Sequence, residues 1–295
     1  MLWIPITIAA AGFQTARTAL QHRLRDVLAP SAAGFVRYVY GAPIALAAVA
    51  VVWVSGVSLP SIAPRFWPAI VAGGLAQIVG TVALLRAFAH RDFAVGTVFA
   101  KTEVVQVAVF SLAVLGEPLR IGGWVGAAVC TVGVVLLAAH GQRLTWAALR
   151  QPAARYGLAA GGLFGLAAIG IRGATKALDG GPVVVRALLA LAVMNSAQTL
   201  IHGGWLAWRD RADLGRTFTH WRRTLPVGVL SVCGSAGWAW ALALENAAKV
   251  RTLGQVELLI TFTVSHRLLG ERHARGEMAA SALVLVGVLA VVVLG

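Results

Sequence analysis

The sequence predicts an all-α integral membrane protein of ten transmembrane helices, built as two inverted five-helix repeats. Three observations carry that expectation. The composition is too apolar for a soluble domain, long apolar stretches recur along the whole length, and a set of polar landmarks is written twice at one fixed offset.

Composition comes first. The 295 residues are 59% hydrophobic and 12% charged, against about 45–50% and about 25% in soluble globular chains. A net charge of +14 raises the possibility of a nucleic-acid partner. The excess arginine, however, sits mostly in short connections, where lipid headgroups and membrane topology account for it. Cys130 and Cys233 fall inside apolar stretches and read as small buried residues. The seven histidines show no metal-ligand spacing, so neither a metal nor another cofactor is expected.

The apolar stretches place ten spans at about 2–20, 32–54, 67–88, 93–115, 119–139, 155–176, 183–205, 225–245, 250–269 and 276–294. Breaks fall at polar or Pro/Gly sites such as Ser58-Leu59-Pro60, Gly116-Glu117-Pro118, Gly141-Gln142-Arg143 and Asp179-Gly180-Gly181-Pro182. The first stretch lacks a basic leader and a small-residue cleavage site, so a retained helix is expected rather than a signal peptide. The chain leaves no stretch for a soluble domain.

The duplication is the most specific signal. An offset of 154 residues superimposes Glu103 on Glu257, Gly116-Glu117 on Gly270-Glu271, and Gly133 on Gly287. Arg17 corresponds to Arg172 and Arg37 to Arg186, with a longer first loop in the first half. The halves, 1–140 and 154–295, hold five spans each. An odd number inverts the second half across the membrane, a common origin of secondary transporters. Loops after odd-numbered spans carry thirteen arginines, among them Arg143, Arg209, Arg216 and Arg222. Those after even-numbered spans carry Arg65, Arg120, Lys176, Lys249 and Arg251. The positive-inside rule then places the chain in the cell (inner) membrane with both termini outside.

Charges inside spans cost about 2.5–3.5 kcal/mol each on insertion scales, so they demand a partner or a wet cavity. Arg37, Arg86, Arg186, Glu245 and Arg267 lie near span ends, where long side chains reach the interface. Glu103 stands fourteen residues before Glu117, roughly 21 Å of helix, and Glu257 has the same depth. Two readings stand for this pair: each glutamate is locked to an arginine as architecture, or both line a substrate or proton pathway. Lys101 and Glu103 are two apart and point to nearly opposite helix faces, whereas Gln106 shares the Glu103 face. The nearest cations in sequence for Glu103 are Arg17 and Arg37, and for Glu257 they are Arg172 and Arg186. Lys101 aligns with Gln255 and has no charged counterpart, which makes it the asymmetric residue for substrate choice. Gln14, Gln77, Asn195, Gln198, Trp238 and Trp240 are candidates for dressing a cavity or for helix contacts. Gly122/Gly126 and Gly161/Gly165 suggest close helix packing.

These features together resemble the EamA repeat of the drug/metabolite transporter superfamily. They are five-plus-five helices, an arginine early in the second span of each repeat, a mid-span glutamate, a Gly-Glu fourteen residues on, and a Gly-rich last helix. The resemblance covers nearly the whole chain. It implies a ten-helix basket around a central cavity, carrying small organic substrates such as amino acids, sugars, nucleotides or drugs. The chain departs from the pattern where Val104 and Leu258 follow the glutamates in place of proline, and where Arg272 stands opposite Pro118.

The leading expectation is a secondary transporter that exports a small organic metabolite by alternating access. No Gly-x-x-x-x-Gly-Lys-Ser/Thr loop is present, so the drive is a gradient, an exchange or a proton taken up by Glu103 or Glu257. An excess of intramembrane cations favours an anionic or zwitterionic substrate. The rivals are a lipid or lipid-carrier flippase on the same scaffold, an integral-membrane enzyme, and a purely structural subunit. The enzyme reading has only Asp92 beside His90 and His273 near Glu271 for a catalytic set, and the structural reading is disfavoured by the two deep glutamates. Oligomeric state is open.

Overall fold

A computed structural model describes residues 1–89, 98–139, 151–260 and 275–295. Among the described residues the fold is all-α apart from one two-residue ladder. Eight helices among the described residues are long and apolar enough to cross a membrane. The first of the ten expected spans is a 20-residue helix, Trp3–His22, outside those eight; its Gln14, Arg17 and three threonines dilute the apolar run. The ninth span is described only as far as residue 260. Gly270-Glu271, Arg267, the His90/Asp92 and Glu271/His273 pairs and the Gly141-Gln142-Arg143 break lie outside the described residues.

The chain divides into two compact units. The first comprises Met1–Ile78 and Gly170–Glu245, the second Val79–Ile169 and Asn246–Gly295. Each unit therefore draws on both sequence halves.

The first unit holds α1 (Trp3–His22), α2 (Pro30–Val39), α3 (Gly41–Val54) and the start of α4 (Phe66–Ala89). It also holds the end of α7 (Pro152–Lys176), then α8 (Val183–Arg209), α9 (Arg211–Thr219) and α10 (Trp221–Leu244). α1 packs along α10, α3 along α8, and α2 against both α8 and α10. Phe35, Val36, Leu24, Leu206 and Val227 form a buried cluster there. The expected span 32–54 is two helices joined at Tyr40. Pro43 accounts for the joint, because it has no N–H to return to the preceding turn. The expected loop 206–224 contains α9, which the alternating charges disguised. Asp210 caps it by accepting from the Asp213 N–H at 3.0 Å. The ladder pairs Ser61 with Asp179 and Ile62 with Leu178. Gly180 and Gly181, at φ +78° and +65°, supply the left-handed turn that leads into α8.

The second unit holds α5 (Glu103–Leu115), α6 (Ile121–Ala138), α11 (Ala247–Gly254) and α12 (Arg275–Leu294), with the remainder of α4 and α7. Gly116 ends α5 at φ +64°, its N–H donating to Leu112 O, the left-handed cap that glycine favours. α6 lies along α12 in a contact made by glycines. A Cβ on Gly133 would come 2.9 Å from Ala280 O, and one on Gly126 would come 2.9 Å from Gly287 O. Gly133 also faces the Val284 nitrogen, and Gly287 faces the Cys130 backbone. Adding 154 converts Gly133, Gly126 and Cys130 into positions 287, 280 and 284. Each contact therefore has its repeat image in the same interface, which is self-complementary under a two-fold relation.

Candidate functional site

Both mid-repeat helices of the second unit are interrupted. Helix at 98–100 meets α5 across Lys101–Thr102, where three-residue turns run from the Lys101 N–H to Val98 O and from the Thr102 N–H to Phe99 O. α11 stops at Gly254, and helix resumes at 256–260 after Gln255. There, the Gln255 N–H donates to Thr252 O at 3.1 Å. Thr102 and Gln255 have matching backbones, φ/ψ −65°/−5° and −64°/−10°. The offset of 154 maps Lys101 onto Gln255, so the interruption recurs at one repeat position. Neither break needs the proline absent after the glutamates. The Thr102 hydroxyl donates back to Phe99 O at 2.6 Å and competes with the helical ladder. Gly254 weakens the other helix from within.

The breaks gather charge. Lys101 Nζ lies 2.5 Å from Glu257 Oε1. Arg251 Nε and Nη2 both reach Glu103 Oε1, at 2.6 and 2.5 Å. The four side chains retain 19% and 16% (Lys101, Glu257), then 15% and 8% (Arg251, Glu103), of their exposure. Each repeat's glutamate is thus neutralised by a cation from the other repeat. The pairs are not images of one another, because Lys101 precedes its own repeat's glutamate by two residues and Arg251 by six. Glu103 opens α5, where the helix dipole favours a carboxylate.

Neighbours hold this arrangement in place. Gln106 Nε2 donates to Thr102 Oγ1 at 2.8 Å. Gly161 lets α7 approach so closely that a Cβ there would lie 2.7 Å from Ala100 O and 3.3 Å from the Glu103 nitrogen. Asn246 caps α11, accepting from the Ala248 N–H at 2.8 Å, and donates to Glu117 O at 3.1 Å. Gln255 is buried, and its Oε1 has no hydrogen-bond partner among the described residues.

The other expected site residues lie in the first unit. Arg172 closes the end of α10, donating through Nη1 to Leu242 O at 2.7 Å and to Glu245 O. Arg186 donates to Leu178 O at 3.4 Å, Arg17 to Thr18 Oγ1 at 3.3 Å, and Arg37 lies over the Tyr38 ring at 5.6 Å. Gln14 Oε1 accepts from the Trp238 indole at 3.2 Å, and Gln77 Oε1 accepts from buried Gln198 at 2.8 Å. Trp240 is half-buried. Arg251 pairs with Glu103 and Lys101 with Glu257, partners that sequence proximity does not suggest. Arg251, a loop residue by the sequence pattern, is helical. The cap signal Asn246-Ala247-Ala248 and the unbroken run to Gly254 were the clues to it.

A family profile described as the EamA-like transporter family matches residues 1–139 and 153–293. The chain belongs to the EamA-like transporter family. It is accordingly a multi-pass membrane transporter with the two-repeat architecture of that family. Among solved structures, one described only as "Crystal structure of protein" is 14% identical, with a TM-score of 0.77, and the match covers 100% of this chain and 99% of that one. At that identity the likeness speaks for the fold. A search of curated proteins returns no match.

Proposed function

We propose that this EamA-like transporter is a secondary carrier that exports a small zwitterionic or anionic metabolite by alternating access. In this reading it has ten spans, five in 1–140 and five inverted in 154–295, with both termini outside the inner membrane. The observation that carries the proposal is the pair of cross-repeat ion pairs seated at repeat-equivalent helix breaks. Broken helices are where membrane carriers expose backbone and charge to a substrate.

These two pairs balance, two cations against two carboxylates. This sharpens the substrate class towards a zwitterion. An incoming carboxylate replaces a glutamate on Lys101 or Arg251, while an incoming ammonium takes up the released glutamate and Gln255 Oε1, which has no partner among the described residues. No net charge is then buried, and the desolvation cost of opening a pair is offset. Glu103 and Glu257 are also the groups that would take a coupling proton. Thr102 and Gln106 act as positioning residues for the first break.

The test is a panel of amino acids, organic acids, sugars and nucleotides, scored by thermal stabilisation of the purified protein and then by flux in proteoliposomes. A zwitterion or anion should stabilise the protein and be transported, and Lys101→Met and Arg251→Met should abolish both effects. Movement of a lipid phosphate between the leaflets of the proteoliposome, with every small polar metabolite silent, would overturn the reading in favour of a flippase.

A further inference from the structure

The connection between α8 and α10 carries a second feature, independent of the transport reading. Trp205, Trp208, Phe218 and Trp221 are exposed there, Trp208 at 79%. Arg209, Arg211, Arg216, Arg222 and Arg223 are exposed beside them. The two local carboxylates are already committed: Asp210 caps α9, and buried Asp213 accepts from the Ala29 N–H at 2.9 Å and from Arg216 at 3.1 Å. α9 is further tied down by the Tyr40 hydroxyl, which donates to Thr217 O at 3.0 Å. The patch is therefore a fixed surface with uncompensated positive charge.

At its end, Thr219, His220, Trp221, Arg222 and Arg223 line an open cleft of about 370 Å³. The Arg222 guanidinium lies 5.6 Å from the centroid of the Trp221 ring. Tryptophan marks the headgroup level of a bilayer, and arginine forks match phosphate oxygens. We infer that this cleft docks the phosphate headgroup of an anionic phospholipid, with Arg222 and Arg223 on the phosphate and Trp221 at the glycerol level.

The experiment titrates the detergent-purified full chain with phosphatidylglycerol, phosphatidylcholine or inorganic phosphate and reads its melting temperature. Phosphatidylglycerol should raise it saturably, and the other two should not. Arg222→Gln/Arg223→Gln should weaken the apparent affinity about thirtyfold, and Arg222→Lys/Arg223→Lys should keep most of it. The lysine pair guards against a folding defect, as does the melting temperature of each variant without lipid. Equal effects of phosphatidylcholine, equal effects of inorganic phosphate, or unchanged affinity in the glutamine pair would each overturn the assignment.

Discussion

Lys101 Nζ sits 2.5 Å from Glu257 Oε1, joining a charged position that has no charged counterpart in the repeat to the glutamate of the opposite half. A lysine in an apolar bundle needs such a partner. Removing the partner alone differs from removing both. Glu257→Gln should destabilise the protein by about 3–5 kcal/mol, whereas Lys101→Met/Glu257→Leu should recover most of that loss. Equilibrium unfolding of the two singles and the double gives the coupling directly, and a coupling near zero would remove this pair from the architecture.

Arg251 places two nitrogens on Glu103 Oε1. Lysine at 251 keeps the charge but not the fork. Arg251→Lys should cost about 2 kcal/mol of stability, the worth of a charge-assisted hydrogen bond. In flux assays it should fall well below the wild type while still exceeding Arg251→Met. Equal flux in the lysine and methionine variants would show that charge at this position is irrelevant to transport.

Gly161 meets the first helix break through space that a methyl group would fill. Gly161→Ala should displace Ala100 and Glu103, reducing transport more than stability, since overpacking costs about 1–3 kcal/mol. Matched flux and unfolding measurements separate the two effects. Intact flux would mean that the position of the break is not critical.

Gly287 faces the Cys130 backbone, whereas Gly12 in α1 has nothing near its missing Cβ. Gly287→Ala should therefore lose about 1–3 kcal/mol, while Gly12→Ala should be neutral or gain up to about 1 kcal/mol from helix propensity. Thermal melts in one detergent make the comparison, and similar shifts for both would contradict the packing described here.

The repeat, the apolar spans and the two deep glutamates were legible in the sequence because a polar residue in a long apolar run is conspicuous whatever surrounds it. Their partners were not. Both ion pairs cross between repeats, 156 residues apart for Lys101–Glu257 and 148 for Arg251–Glu103, and helical periodicity carries no information over that distance. Arg251 was misplaced because its helix is only eight residues long and follows Glu245-Asn246, which reads as a loop. The Arg172 guanidinium donates to the carbonyls at the end of α10. That role depends on where a neighbouring helix stops. The breaks form without proline after the glutamates, at a threonine hydroxyl in one repeat and beside a glycine in the other.

The reciprocal glycine contact between α6 and α12 bears on origins. A half-length chain would find in its own second copy the surface that Gly133 and Gly287 now share. Gene fusion would then have preserved an existing homodimer, and it would have released the two copies to drift apart. Gly126 opposite Ala280, and Lys101 opposite Gln255, are where that drift is written.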